Sequence, residues 1–307
     1  MKNNYLDLIA CSGCKGDLRK VSEEKFVCNK CGRDFFVEEG ILKIVPELTE
    51  DMLLSIEKWD ENYKNQLKSE SFRDLHDDYH KRHADNVASQ ILSEANKRNV
   101  YLEIGCGPFF LGKVFAQEFD MVIGIDFCPS ALKIAKKLLD EAGVENYILI
   151  QGDVINIPIK NNSVDMIYGG GVIEHFEDTQ SCINELYRVL KSGGVCFNSV
   201  PYLNIGSLTY RQIWGNIPNF PVLKQIAELV HIKLLRGKHM IFGYEMSFTA
   251  RTLMNVHKKA GFSNVRVDNF EVDMDFEFAP KFSRKLLFKL ARESRLFWPM
   301  VKVIGIK

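Results

Sequence analysis

Four cysteines near the start of the chain stand in two C-x-x-C pairs, Cys11-Ser-Gly-Cys14 and Cys28-Asn-Lys-Cys31. Thiolates are soft ligands, and four of them at this spacing suit one tetrahedral zinc ion. All four positions would be filled by protein, so the site reads as structural. Each pair runs at once into glycine and a basic residue (Lys15-Gly16, Gly32-Arg33). Residues 1–45 have too small a core to fold securely alone, and a bound metal would add the missing stability. Two disulfides or four free thiols are the alternatives. A redox dithiol fits less well, because no βαβ pattern surrounds either pair.

The second constellation is acidic and glycine-rich. Glu103 ends an apolar run and is followed by Gly105-Cys106-Gly107. Glycine has no Cβ, so backbone there can approach a ligand closely. Asp126 ends the next apolar run (121–125), where a carboxylate can accept both hydroxyls of a ribose; Phe127 follows it. Asp153-Val154 follows a third run (147–150), where a carboxylate can take an adenine amino group. A dinucleotide turn needs a third glycine in G-x-G-x-x-G, and Phe110 stands there instead. The fourth run leads into Gly169-Gly170-Gly171, and Glu174-His175 follows. Three glycines suit backbone lying against a ligand, and a histidine can take a proton near neutral pH. Glu174 and His175 are the catalytic candidates; merely holding the following helix is the alternative for both.

These motifs, in order, resemble the class I S-adenosylmethionine-dependent methyltransferases. They are Leu-Glu-Ile-Gly-Cys-Gly, Gly-Ile-Asp126, Gly-Asp153-Val, Ser-Val-Asp165-Met-Ile-Tyr and Glu-Leu-Tyr-Arg-Val-Leu-Lys-Ser-Gly-Gly. The resemblance is close over about 100–200 and looser over 248–307. It implies a seven-stranded Rossmann-like sheet of order 3-2-1-4-5-7-6 with helices on both faces. It further implies S-adenosylmethionine held by Glu103, Gly105, Cys106, Gly107, Asp126, Phe127, Asp153, Val154, Gly170 and Gly171. One departure matters: the family's E/D-x-G-x-G-x-G places a glycine at Phe109, which is expected to reshape the turn. Residues 1–45, with the trailing Phe35 to Leu42, resemble the Trm112-like zinc ribbons.

The elements that position these groups follow from pattern. Short apolar runs alternate with amphipathic stretches from 100 to 200, which implies a parallel sheet with helices on both faces. Ligands in such sheets bind beyond the carboxyl ends of the strands, so Gly105, Asp126, Asp153 and residues 169–172 are expected around one cleft. Helices are expected over Leu111–Phe119, Ala131–Ala142 and Glu177–Lys191, with a fifth strand over Val195–Val200. Lys133, Lys136 and Lys137 read as a solvated face. Polar helical stretches over Thr49–Leu67 and Ser71–Asn96 would cover the cofactor site. His83 also punctuates them, and Tyr63, Tyr79 and His80 are expected to pack or face solvent, with cofactor or substrate contact as the alternative. The domains are then 1–45, 46–99 and 100–307, with a substrate lid at 202–247.

The lid carries Tyr202, Tyr210, Trp214, Phe220, Phe242 and Tyr244. Its segment Val222–Arg236 is amphipathic with a basic edge. It is expected to pack on the core, with docking on lipid as the alternative. Farther on, Asp268–Glu277 holds five acidic residues, and Lys281–Lys302 holds seven Lys/Arg against Glu293. The basic stretch reads as a solvated face paired with the acidic run, or as a grip on an anionic partner.

Composition bounds the rest. The chain has 307 residues, 46% hydrophobic and 26% charged, with 40 basic and 40 acidic side chains. No global field recruits nucleic acid or an acidic membrane. The start has no signal-peptide pattern and no apolar run spans a bilayer, which points to the cytoplasm. Cys106, Cys128, Cys182 and Cys196 read as small buried hydrophobes.

The expected activity is methyl transfer from S-adenosylmethionine to a small-molecule, sugar or lipid-like acceptor. An RNA methyltransferase is the second expectation. Against it, residues 1–45 hold eight Lys/Arg and seven Asp/Glu, little for phosphate contacts. A non-catalytic adaptor is the third, supported only by Phe109. The acceptor atom and the oligomeric state do not follow from sequence.

Overall fold

The computed structural model describes residues 6–44, 57, 59–65, 81–204, 215–237, 240, 243–270 and 280–307. The side chains of 81–83, His83 included, are outside the description. So are Tyr79, His80, Tyr210, Trp214, Phe242, the junction at 46–51 and most of the acidic run.

The chain opens with four short strands: β1 (Leu18–Ser22), β2 (Lys25–Cys28), β3 (Asp34–Glu38) and β4 (Ile41–Ile44). Residues 59–65 are helical, and α1 covers Lys81–Leu92. The alternating core follows: β5 (Val100–Ile104), α2 (Phe110–Phe115), β6 (Met121–Asp126), α3 (Pro129–Glu141), β7 (Tyr147–Gly152), β8 (Val164–Gly170), α4 (Thr179–Val189) and β9 (Leu190–Pro201). Then come β10 (Ile217–Pro218), α5 (Pro221–Glu228) with a π-helical turn (Leu229–Leu234), β11 (Met246–Ser247), α6 (Ala250–Ala260), β12 (Ser263–Asn269), α7 (Lys281–Glu293) and β13 (Met300–Ile306).

Two compact units divide the chain: 1–169 with 184–196 and 307, and 170–183 with 197–306. In the first, strands lie in the order β1-β2-β3-β4-β7-β6-β5-β8-β9. In the second, the far half of β9 is followed by β13 and then β12. Counting from β5, this is the expected order 3-2-1-4-5-7-6. Among the described residues the four ribbon strands extend this sheet, so that eleven strands are joined rather than seven alone. The four ribbon strands join because β4 pairs in parallel with β7, Leu42 beside Ile150 and Ile44 beside Gly152. The parallel strands β5–β8 are buried almost throughout, as continuous apolar runs between two helical layers must be.

Asp165 shows how a buried charge sets a strand start. It is 4% exposed and accepts the Val100 N–H at 2.9 Å and the Lys191 ammonium at 2.7 Å. A buried carboxylate is tolerated only when so paired. The fifth strand begins five residues before its expected start. Lys307 explains part of this, since its backbone binds Gly193 and Gly194 as a strand neighbour. The ribbon is also fastened by side chains. Lys15 reaches the Asn156 amide oxygen and, at 3.1 Å, Glu185, which Arg188 holds through two hydrogen bonds of 2.7 and 2.8 Å. Lys133, Lys136 and Lys137 pair with Glu39, Asp140 and Glu141.

In the second unit α6 starts on the Thr249 hydroxyl and ends at Gly261, whose φ of 110° suits glycine. Its His257 is fully buried and donates from Nδ1 to the Leu253 carbonyl at 2.8 Å. Burial pushes the imidazolium down to about 4, with the Leu253 hydrogen bond opposing, and Nε2 meets no acceptor for the second N–H that protonation would create. The folded state therefore holds fewer protons than the unfolded state between pH 6.5 and 4. Stability is intact above the unfolded value and falls as pH drops through that window, by at most about 3 kcal/mol. Urea midpoints measured across it should fall in the native protein, and His257→Leu should remove most of that slope.

Candidate cofactor site and cysteine cluster

The turn after β5 is held from β6. Gly107 donates its N–H to Asp126 Oδ2 at 2.7 Å, and Cys128 donates to Oδ1 at 2.8 Å. Cys106 donates to the Ile125 carbonyl at 3.0 Å. Gly105 and Gly107 both have positive φ, 54° and 50°. Asp126 is half-buried, and each of its oxygens, having accepted one N–H, has a second lone-pair direction for a ligand hydroxyl. Burial raises its carboxyl, and the backbone N–H groups of Cys128, Gly107 and Phe127 pull it back.

Phe109 does not reshape the turn in the expected way. It adopts φ 55°, ψ 44°, the left-handed geometry that a glycine would supply freely. Its N–H donates to the Cys106 carbonyl at 2.8 Å. The ring turns inward and is 1% exposed. It lies on Gly112 and Gly124, where added Cβ atoms would sit 2.4 and 3.1 Å from the ring. The turn keeps its glycine shape at a cost of about 1–2 kcal/mol, offset by burial of an aromatic ring.

Glu103 lies behind the turn, 7% exposed, and accepts the Tyr101 hydroxyl at 2.9 Å. Burial, chiefly, pushes its carboxyl up to about 8; the Tyr101 hydrogen bond opposes the rise and the nearby Asp126 charge adds to it. Along β6 and β7, Asp126 sits beside Gln151, whose side chain donates to the Phe127 carbonyl at 3.2 Å. Asp153 is buried and accepts the Ile155 N–H at 3.0 Å, capping a 3-10 turn of Val154–Asn156. Val154 is buried and Ile155 exposed.

Two residues of the helical stretch 59–65 reach the two turns that Asp126 joins, Tyr63 the glycine turn and Asp60 the start of α3. The Tyr63 hydroxyl lies 2.9 Å from where a Cβ on Gly107 would be, and burial together with Asp126 raises its phenol far above the usual range. The site therefore puts Tyr63 on the glycine turn rather than at the surface. Asp60 carried no signal in the sequence. It accepts the Ser130 N–H at 3.1 Å and the Cys128 thiol at 3.4 Å, capping α3 from outside. Burial opposes its ionisation, but Lys64 and Ser130 hold it down at about 2.

The second unit carries the glycine run's end and the two catalytic candidates. Gly171, at φ 69°, donates to the Ser199 carbonyl at 2.9 Å, while Gly170 is the exposed last residue of β8. Glu174 is 2% exposed, inside a 3-10 turn of Ile173–His175. His175 Nδ1 lies 2.8 Å from the Tyr244 carbonyl oxygen. A carbonyl can only accept, so Nδ1 carries the proton and neutral His175 keeps its lone pair on Nε2. This backbone anchor, 69 residues away, had no sequence signal.

The cysteine cluster forms. Cys11, Cys14, Cys28 and Cys31 bring their sulfurs within 4.8 Å of one another. Cys11–Cys31 and Cys14–Cys28 are 3.7 and 3.4 Å apart, too far for disulfides and close to the roughly 3.8 Å edge of a tetrahedron of 2.3 Å metal–sulfur bonds. Lys30 and Cys31 donate N–H bonds to the Cys28 sulfur. Such bonds favour a thiolate. The other cysteines, 106, 128, 182 and 196, are buried.

Residues 102–198 match the family model of a methyltransferase domain, and residues 2–40 that of Trm112p-like proteins. A demethylmenaquinone methyltransferase of Listeria monocytogenes is 27% identical over 192 residues, 57% of this chain and 74% of that one. Among solved structures, a complex of the Haloferax volcanii Trm112 methyltransferase activator with a methyltransferase is similar in fold. It has TM-score 0.52 and 17% identity, covering 85% of this chain and 99% of the other. Phosphoethanolamine N-methyltransferase 2 of Haemonchus contortus, bound to S-adenosyl-L-methionine, has TM-score 0.51 and 18% identity over 78% and 60% of the two chains. The sheet and its glycine turn define the class I methyltransferase fold. The chain is an S-adenosylmethionine-dependent methyltransferase with a Trm112-like segment ahead of its methyltransferase domain.

The buried Glu103 gives a pH test. Its folded value is raised from 4.5 to about 8, so its contribution to stability is complete below pH 4.5. That contribution is lost as pH rises toward 8, by about 1.4 kcal/mol per pH unit at the steepest. Glu103→Gln mimics the protonated acid. The difference in urea midpoint between native protein and variant should shift in favour of the variant as pH is raised across that range.

Proposed function

We propose that this methyltransferase acts on a small-molecule or lipid-like acceptor carrying an ionisable nucleophile, with His175 as its general base. The observation that carries this reading is the Nδ1–H bond from His175 to the Tyr244 carbonyl, which leaves Nε2 basic. Bound S-adenosylmethionine supplies a methyl group activated on a sulfonium. With it bound, the acceptor's lone pair would form the new bond to the methyl carbon as the carbon–sulfur bond broke with its electrons passing to sulfur. The acceptor's proton goes to His175 Nε2. Asp126 would accept the ribose hydroxyls, Asp153 the adenine amino group, and Gly105–Gly107 would let backbone approach the amino-acid end. Glu103, Cys106, Phe127 and Val154 would shape that site. Glu174, buried in the turn before His175, would position rather than react.

The named relative acts on demethylmenaquinone, which favours an apolar acceptor over RNA. The inward turn of Phe109 removes the one feature that had favoured a non-catalytic adaptor. The same proposal keeps the domain division 1–45, 46–99 and 100–307, with the lid at 202–247, and a cytoplasmic location. Among the described residues no helix is long and apolar enough to cross a membrane.

Calorimetry should show S-adenosylmethionine binding to the native chain and its loss in Asp126→Ala. His175→Asn should keep that binding and lose about 10²–10⁴-fold in turnover on an acceptor found by screening. Unchanged turnover in His175→Asn would remove the base from the scheme. We further propose that the four cysteines hold one structural zinc ion. Metal analysis should give one zinc per chain, and stripping it with a chelator should lower the melting temperature by at least several degrees.

A further inference from the structure

The segment 220–236 is built inside out. Its polar edge faces the protein: Lys224 and Glu228 are half-buried and lie 3.6 Å apart, Lys224 is 3.7 Å from Glu177, and the Tyr244 hydroxyl donates to Glu228 at 2.9 Å. Its apolar side faces out. Val222 is 62% exposed, Ile226 54%, Leu229 50% and Leu234 68%, and neither α5 nor the π-helical turn buries a single residue. The expectation that this segment packs on the core is therefore overturned. The physical reason is that its ion pairs and the Tyr244 hydrogen bond claim the inner side. An exposed apolar surface of this extent marks an interaction site.

The charges around it select the occupant. The only acidic residue of the segment is Glu228, and it is turned inward. Lys233 and Arg236, at the end of the π-helical turn, are exposed. The same unit repeats the combination on α7, where Phe282 is 89% exposed and Leu286, one turn on, 59%. Exposed Lys281, Lys285, Lys289 and Arg292 accompany them, against Glu293, which lies 4.0 Å from Lys289. Exposed apolar side chains on helices that also carry exposed cations complement an anionic lipid surface. The apolar groups enter the acyl boundary while the cations meet headgroup phosphates.

We infer that the segment 220–236, aided by α7, docks this protein peripherally on anionic membranes. Docking of this kind does not depend on the catalytic role of His175. A consequence follows within the same unit, because Tyr244 touches both ends of the arrangement. Its hydroxyl holds the docking segment at Glu228, and its carbonyl holds His175.

The test is co-sedimentation of the full chain with vesicles of phosphatidylglycerol mixed with phosphatidylcholine, and with phosphatidylcholine alone. The native chain should pellet with the anionic vesicles and largely stay in solution with the neutral ones. The double variant Ile226→Glu/Leu234→Glu should stay in solution with both. Lys233→Glu/Arg236→Glu should lose binding to anionic vesicles by about tenfold or more. All four positions are exposed, so circular dichroism and S-adenosylmethionine binding should match the native chain. Native protein that ignores anionic vesicles would overturn the inference. So would a native dimer that Ile226→Glu/Leu234→Glu turns into a monomer without any vesicle binding, since the face would then cover a second copy. Loss of S-adenosylmethionine binding in the native chain would sink the catalytic reading and leave the vesicle result standing.

Discussion

Two backbone N–H groups pointing at one carboxylate organise the first unit. Asp126 receives Gly107 on one oxygen and Cys128 on the other. It thereby ties the turn after β5 to the start of α3. The glycines can hold positive φ without strain, but only a partner makes that conformation the one that persists. Phe109 shows the strength of the constraint. A residue that dislikes left-handed geometry is held in it, because its ring fills the space that Gly112 and Gly124 leave beneath the turn. Asp60 and Tyr63 then reach the two tied segments from the stretch 59–65, one at the start of α3 and one at Gly107.

The ribbon uses a different economy. Its strands continue the sheet through β4 and β7, so an edge that would otherwise expose unpaired N–H and C=O groups is covered. Lys15, between the two cysteine pairs, is bound to Asn156 and to the Glu185–Arg188 pair. Burial works against its charge, and Glu185 compensates. The cysteine knuckle therefore bears on the turn that Asp153 caps. That places the cysteine cluster and the end of β7 in one hydrogen-bonded neighbourhood.

In the second unit, polar groups decide which side of a helix meets the protein. Burial of apolar surface usually dominates, and the pattern of 222–236 would normally turn inward. Here Glu228 has two partners, Lys224 and Tyr244, and a carboxylate moved away from both would lose charge-assisted hydrogen bonds. The apolar face is left outward, and the basic residues are left around it.

The alternating strands and helices, the glycine turn, the acidic residues at the strand ends and the cysteine spacing were legible in the sequence, while the strand order came from the family resemblance. Each is a local pattern: an apolar run, a glycine doublet, a carboxylate one residue past a strand. The sequence by itself therefore determined the class of fold and the cysteine cluster. Tertiary structure decided what depends on distant partners. Nothing local tells that Phe109 turns inward, since that rests on glycines three residues on and fifteen residues on. Asp60 capping α3 from 70 residues away, and Tyr244 fixing the tautomer of His175, are likewise invisible to periodicity. The lid segment is the clearest case. Its amphipathic pattern says that two faces differ, and only the positions of Lys224, Glu228 and Tyr244 say which of them meets the protein.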